Sequence, residues 1–196
     1  AMFLSHGVNT RTTIAFISTV ATLFLSSSVG WLSIHYLKLL GVGSNEAFFL
    51  QFGNLGTINL RGLLLGGIII STIGLLDDVS VVQATAVEEI HKADKTLSKQ
   101  ELYRRGLIIG KEHIVSMVNT LFIVYAGAAL PLFLFFNFAE HTGIPLWVHL
   151  NREALTEEMV RSIVGSMVLI CTVPATTLLA AHVYSKRIEH EQKNLS

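Results

Sequence analysis

Four long apolar stretches constrain the fold of this chain more than any other feature of its sequence. They lie at about residues 13–40, 61–90, 107–137 and 158–186. Each reaches or exceeds the ~20 residues that an α-helix needs to cross ~30 Å of hydrocarbon. Lipid cannot satisfy backbone polar groups, so a helix is the expected form of each stretch. The sequence therefore predicts an all-α fold, a polytopic helical membrane bundle that forms a single transmembrane domain over residues 1–196.

The composition agrees with a surface that is largely solvated by lipid. Charged residues make up 14% of the chain and hydrophobic residues 51%, whereas a soluble domain has about 25% charged residues. The formal net charge is zero, so nothing indicates nucleic acid as a partner. Cys171 is the single cysteine of the sequence, which excludes an internal disulfide framework. The opening Ala1-Met2 and the missing leader lead us to expect a fragment of a longer protein.

Positive charges are distributed unevenly among the polar segments. The two segments at about 41–61 and 138–160 carry only Arg61 and Arg152. The segment 88–112 carries six positive residues, and the C-terminal tail adds more. By the positive-inside rule, we expect this segment and both termini to lie in the cytoplasm. The six residues are Lys92, Lys95, Lys99, Arg104, Arg105 and Lys111.

Local patterns predict where one helix begins and where helices pack closely. Ser98 is followed three residues later by Glu101, a capping box that predicts a short cytoplasmic helix before the third span. The pairs Gly62-x-x-x-Gly66 and Gly106-x-x-x-Gly110 favour close approach of neighbouring helices.

Two adjacent carboxylates interrupt the second apolar stretch. Each of Asp77 and Asp78 costs at least ~2.5–3.5 kcal/mol at the centre of a membrane-spanning helix. One alternative is that the helix ends at Leu76 and leaves both in water, but the residues after Asp78 continue the helical pattern. Neighbouring residues point about 100° apart, so we expect one carboxylate to face a cavity and the other a neighbouring helix. We predict a proton- or ion-binding pair.

Polar residues on two other spans are predicted to line a path to the pair, and Asn119/Thr120 and Thr172/Pro174 are expected at its depth. On the third span, His113, Ser116 and Asn119/Thr120 recur at three- and four-residue spacing, which places them on one face that leads inward from the cytoplasm. Acid, imidazole and amide groups in series are typical of an intramembrane proton or ion path. The alternative is that they lie at the headgroup level or are small packing residues. The predicted path-lining residues are Glu112, His113, Ser116, Asn119, Thr120, Thr172 and Pro174.

Two kinds of enzyme are disfavoured by the pattern. Intramembrane aspartyl proteolysis needs carboxylates from two different helices, but Asp77 and Asp78 share one. Glu88-x-x-His91 has the spacing of metal ligands on a helix, yet it occurs once, in a lysine-bearing stretch where a solvated helix end is favoured. We therefore predict no enzymatic activity, no catalytic residues, no metal and no cofactor.

Seven motifs occur in order along nearly the whole chain, and together they resemble the YibE/F family. The resemblance implies a multi-pass protein of the bacterial plasma membrane. It also implies that longer members carry further spans and an extramembrane region before this segment. The motifs are Leu4-Ser-His6-Gly, Leu60-Arg-Gly-Leu-Leu-Leu-Gly-Gly, Gly74-Leu-Leu-Asp77-Asp78-Val-Ser-Val-Val-Gln83-Ala, Ile109-Gly-Lys-Glu112-His113, Val118-Asn119-Thr-Leu, Tyr125-Ala-Gly-Ala-Ala-Leu-Pro131 and Glu158-Met-Val-Arg161-Ser-Ile-Val-Gly165-Ser.

A weaker similarity concerns the helix of the acidic pair. Gly74–Val82 and the span that ends at Pro131 are similar to the corresponding helices of RND-type permeases and of SecD/SecF. The similarity implies half of such a transmembrane domain, with Asp77 and Asp78 as a proton-binding pair opposite a lysine from the other half. This chain has no Lys or Arg at mid-membrane depth. The counter-charge therefore comes from a missing part or a partner, or the carboxylates are protonated.

These expectations combine into two hypotheses of function. The first is a proton-coupled transporter, or its energising subunit, acting on an unknown small-molecule, ion or peptide substrate. The alternative is a non-transporting structural or regulatory subunit that assembles with a paralogous partner. A homodimer or a paralogous membrane subunit fits both hypotheses, and the lipid bilayer surrounds the protein in either case.

Overall fold

The computed structural model describes residues 2–43, 47, 49–50, 58–128, 130–131, 134, 137, 145, 147–148 and 151–193. Within these residues the regular structure is helical throughout, with no strand, which confirms the all-α prediction. The helices are α1 (Met2–His6), α2 (Thr10–Tyr36), α3 (Leu60–Ala93), α4 (Lys99–Ala128) and α5 (Glu153–Lys193).

Short polar side chains cap the first turn of three of the long helices. The Oδ1 atom of Asn9 accepts a hydrogen bond from the Thr12 amide at 2.8 Å and caps the start of α2. Asn59 does the same for α3 at 3.1 Å, and Ser98 Oγ does so for α4 at 3.3 Å. Each cap satisfies a backbone N–H that has no partner inside its helix. The N-cap predicted at Ser98 is confirmed.

The separate short helix predicted after Ser98 is wrong. The capped turn runs directly into the third span, so that α4 is one helix of 30 residues. Leu102 is fully buried in the first turns, and Glu101 pairs with Arg104 and Arg105 along the same face. Packing and ion pairs therefore hold the segment helical without a break. The predicted end of this helix at 137 lies beyond the residues that the structure describes continuously.

The other helices also differ from the predicted bounds at their ends. α2 begins at Thr10 and ends at Tyr36, where Lys38 adopts a left-handed φ of 54° and the Leu39 amide bonds back to the Ile34 carbonyl at 3.1 Å. This is the geometry of a helix C-cap. α5 extends beyond both predicted ends, because its polar flanking turns continue the helix.

Four of the helices are long and apolar enough to cross a membrane. The candidate spans are Thr10–Tyr36, Leu60–Ala93, Lys99–Gly127 and Glu153–Lys186. Large apolar side chains on them are exposed, as contact with lipid requires; Phe24, Ile70 and Phe122 are examples. The protein is therefore a multi-pass membrane protein whose spanning helices contact the bilayer.

The chain divides into two compact units, and each long helix contributes a segment to both. The first unit comprises Ala1–Leu25, Thr72–Met117 and Met167–Ser196, and the second comprises Ser26–Ser71 and Val118–Ser166. The core of the first unit is formed by small and branched side chains that include Ile14, Ala84, Val87, Leu102 and Ala181.

The second unit is held partly by carboxylates that bind backbone amides. Glu153 Oε1 accepts the amides of Leu40 and Gly41, the latter at 2.8 Å, and Glu157 Oε1 accepts the Gly43 amide at 3.0 Å. Gly41 has a φ of +81°, and a Cβ there would collide with the carbonyl oxygen of residue 60. Only glycine fits this turn.

Candidate functional site

The carboxylate pair lies near the midpoint of α3, within a continuous helix. Asp77 is partly buried and Asp78 is exposed. The helix continues to Ala93, so the alternative in which it ends before the pair is excluded. In the part of the chain that the structure describes, neither carboxylate has a hydrogen-bond or ion-pair partner.

The two carboxylates differ because only one side of α3 packs against other helices of the first unit. Leu76, Ser80 and Gln83 are almost completely buried, and their four- and three-residue spacing places them on one face. At about 100° per residue, Asp78 falls opposite this face and Asp77 falls on its flank. Asp77 therefore borders the packed interior, whereas Asp78 points away from it.

A buried hydrogen-bonded joint lies on the packed face of α3. Gln83 Nε2 donates to the Gly106 carbonyl of α4 at 2.9 Å and to Thr177 Oγ1 of α5 at 2.7 Å. A Cβ on Gly106 would lie 2.7 Å from the Thr177 methyl group, and one on Gly110 would lie 2.6 Å from Gln83 Oε1. We call Gln83, Gly106, Gly110 and Thr177 the Gln83 joint. The close packing predicted for Gly106-x-x-x-Gly110 is confirmed.

Sequence reasoning did not identify the partners of these glycines. The feature of the sequence that could have indicated them is the presence of Gln83 and Thr177, each within an apolar stretch. Amides and hydroxyls at such positions commonly bond across helices in membranes. The pairing of Gln83 with Thr177 depends on how α3 and α5 pack, and one sequence does not reveal that packing.

The predicted residues of α5 lie in the same unit as the pair. The Gln83–Thr177 bond and the stacked rings of His91 and Tyr184, with centroids 5.4 Å apart, show that α3 and α5 run in parallel. Thr172 is therefore at about the level of Asp78. It is fully buried, but its hydroxyl donates to the Val168 carbonyl of its own helix at 2.8 Å.

Pro174 lies inside α5 and is partly buried. Near it, the hydroxyl groups of Ser80 and Thr176 are completely buried and have no hydrogen-bond partner among the described residues; Ser18 on α2 is similar. Such groups cost free energy unless water or an ion binds them. The interior of the first unit thus has unused polar capacity on three helices.

The stripe predicted on α4 comprises His113, Ser116 and Asn119 or Thr120; its exposed members face away from the packed side of the helix, and His113 is partly buried. Glu112, Ser116 and Asn119 are all exposed, and their spacing of four and three residues places them on one face, which we call the α4 stripe. Gly110 is on the opposite, packed face. Thr120 is exposed as well.

The ion pairs of the first unit lie near the ends of helices, and those among the described residues do not involve Asp77 or Asp78. Glu88 contacts Lys92 at 3.2 Å and Arg11 at 3.9 Å, while His91 is buried against Tyr184. His91 is therefore packed inside the first unit, and the solvated helix end predicted for His91 is wrong. Among the described residues, no group of three metal-ligand side chains is present.

Comparison with known proteins gives one clear result. The model of a family described as "YibE/F-like protein" matches residues 1–186. No match was found among curated proteins or among solved structures.

Proposed function

We propose that this chain, which belongs to the YibE/F-like family, acts in proton-coupled transport across a membrane. It is either the transporter itself or its energising subunit. Asp77 and Asp78 bind the protons, and its substrate is a small molecule, an ion or a peptide.

One observation supports the proposal above all others. Two adjacent carboxylates lie near the midpoint of a 34-residue apolar helix and lack a hydrogen-bond or ion-pair partner in the described residues. Ionised groups at this depth are costly, and they typically mark ion or proton pathways. The hydrogen-bonded Gln83 joint on the same helix accounts for packing without help from the carboxylates.

Protonation would change how α3 packs in this proposal. Asp77 lies on the flank of the packed face, where a charge without a counter-ion opposes desolvation. Binding a proton removes that charge and favours closer approach of the neighbouring helices. A ligand that favours one arrangement over another shifts the population between them. The buried hydroxyls of Ser80 and Thr176 offer places for water along the way.

The exposed polar groups on the spanning helices require a partner that shields them from lipid in our proposal. Asp78 and the α4 stripe face outward from helices that span a membrane, and polar groups at this depth rarely face lipid. A second copy of the chain or a paralogous subunit covers them in our proposal. The α4 stripe then lines the proton path along that interface.

The proposed location is the bacterial plasma membrane, with both termini and the link between α3 and α4 in the cytoplasm. The support is the cluster of positive residues in 88–112, since such residues favour the cytoplasmic side.

Infrared spectroscopy of the protein in lipid nanodiscs tests proton binding without knowledge of the substrate. We expect a carboxylic-acid C=O band that disappears as the pH rises, and we expect Asp77→Asn or Asp78→Asn to remove part of it. Asp94→Asn, in the exposed link after α3, serves as the matched control. A pH-dependent band that both membrane variants leave unchanged would refute the proton-binding role.

The alternative function, a non-transporting assembly subunit, is favoured by the outward direction of Asp78 and the α4 stripe. Light scattering of the same variants after size-exclusion chromatography distinguishes the two. If Asp78→Asn or Asn119→Leu dissociates the complex and the infrared band is retained, the polar groups hold subunits together. If the oligomer keeps its mass and the band is lost, the transport proposal stands.

A further inference from the structure

The second unit contains an open cleft between α4 and α5 that is separate from the carboxylate pair. Its volume is about 420 Å³, within the range of pockets that hold small organic ligands. Residues 118–126 of α4 and 155–166 of α5 line it. We call it the α4–α5 cleft. Both helices are candidate membrane spans, so a ligand that reaches this cleft is soluble in lipid.

The lining of the cleft is apolar except for a few groups. Leu121, Phe122 and Ile163 are typical of its walls, and Ser162 and Tyr125 contribute hydroxyl groups. Among the described lining residues, Glu158 is the one that carries a charge. At the Tyr125 hydroxyl the negative charge of Glu158 has a larger effect than the positive charge of Arg161, so this carboxylate dominates the electrostatic preference of the cleft.

The carboxylate of Glu158 is weakly neutralised by the rest of the chain. Its ion-pair partner is Arg161, at 3.7 Å between Nε and Oε2, which is too long for a hydrogen bond. The Nε atom of Arg161 is buried and has no hydrogen-bond partner in the described residues, and Arg161 does not line the cleft. A carboxylate in this setting gains more from a close cation than one in water does.

We propose that the α4–α5 cleft binds a lipophilic organic cation. The apolar walls match the body of such a molecule, and Glu158 complements its charge. Phe122 and Tyr125 add aromatic rings, whose faces attract cations. A phospholipid fits less well, because the phosphate beside its headgroup ammonium is repelled by the carboxylate, whereas a lipophilic cation carries no such anion. The proposal does not depend on proton binding at Asp77 and Asp78.

Two probes of nearly the same size and shape but opposite charge test the proposal. The protein in nanodiscs of zwitterionic lipid is titrated with tetraphenylphosphonium and, separately, with tetraphenylborate. Bound probe is measured by equilibrium dialysis, and the uptake by empty nanodiscs is subtracted, because the interfacial dipole potential of the bilayer acts differently on the two ions. We expect saturable binding of the phosphonium and at least tenfold weaker binding of the borate. Equal binding of both ions would overturn the proposal.

Two variants and two controls locate the binding. Glu158→Gln should weaken phosphonium binding about tenfold, which corresponds to 1.4 kcal/mol, and Ala126→Phe should abolish it by filling the cleft. Glu89→Gln and Ala21→Phe, at exposed positions of α3 and α2, should leave it unchanged. Thermal unfolding of each variant shows whether the fold is kept. Binding that survives both cleft variants, or a copurified phospholipid that the phosphonium fails to displace, would overturn the assignment.

Discussion

Gln83 lies six residues after Asp77 and five after Asp78 on α3, yet its surroundings are the opposite of theirs. Gln83 is buried and bonds to two neighbouring helices. Asp77 is partly buried and Asp78 is exposed, and neither has a hydrogen-bond or ion-pair partner in the described residues. A buried polar group with partners stabilises and specifies packing, whereas one without partners remains available to protons, ions or another subunit. In our proposal, this contrast separates a polar group that serves packing from a pair that serves function on a single helix.

The largest loss of stability is expected at Gly110, where the Gln83 joint leaves no room for a Cβ atom. Gly110→Ala places a Cβ against Val173 and Gln83, and such overpacking destabilises by about 1–3 kcal/mol or more. Gly74→Ala is the matched control, because nothing lies within 4 Å of a Cβ there; alanine should raise stability by up to ~1 kcal/mol through helix propensity. Denaturant unfolding in mild detergent measures both. Equal destabilisation by the two variants would contradict the close contact.

The second prediction compares a carboxylate that accepts hydrogen bonds from backbone amides with a carboxylate in an exposed ion pair. Glu153→Ala removes the acceptor for the amides of Leu40 and Gly41. Gly41 is buried, and leaving a buried donor without a partner costs about 1–3 kcal/mol. Glu89→Ala, at an exposed ion pair with Lys92, should cost less than ~1 kcal/mol. The same unfolding assay measures the difference. If Glu153→Ala is as mild as the control, the amide contacts contribute little.

The third prediction sharpens the role of the Gln83 joint itself. Gln83→Met keeps most of the volume but removes the donor, and Thr177→Val removes the acceptor. A double-mutant cycle should give a coupling energy of about 0.6 kcal/mol, with ~1.7 kcal/mol as the upper range for bonds between membrane helices. Strictly additive effects would show that the bond between the two side chains contributes nothing to stability.

The smallest effect on stability is expected at the carboxylate pair. Asp77→Asn and Asp78→Asn remove no contact within the described chain, so each should change the unfolding free energy of the dissociated protein by less than ~0.5 kcal/mol. A loss comparable to that of Gly110→Ala would mean that the carboxylates support the fold, and the contrast with Gln83 would fail.

Much of the fold could be predicted from the sequence, because the length of an apolar stretch reports directly on the bilayer it must cross. The four spans, the Ser98 cap and the close packing at Gly106 and Gly110 followed from local patterns. The ends of α4 and α5 did not, since polar turns beyond the membrane stay helical through packing and ion pairs, as at Glu101.

The candidate site was less predictable, because helical periodicity shows which residues share a face but not what that face contacts. The grouping of Ser116 and Asn119 on one face was correct, while the outward direction of that face needed coordinates. The hydrogen bonds made by Gln83 and Glu153 join residues far apart in sequence, and a single sequence carries no record of such pairs.

The most direct test of the central claim compares two carbodiimides in native membranes. Lipid-soluble dicyclohexylcarbodiimide reacts with protonated carboxyl groups in apolar surroundings, whereas a charged carbodiimide reacts from water. Asp94 is an internal reference in the exposed link, where hydrogen bonds from Thr96 keep its pKa below the ordinary value. We expect mass spectrometry to find Asp77 or Asp78 modified by the lipid-soluble reagent and Asp94 only by the charged one. Modification of Asp77 and Asp78 by the charged reagent alone, as for Asp94, would contradict the claim that they bind protons within the membrane.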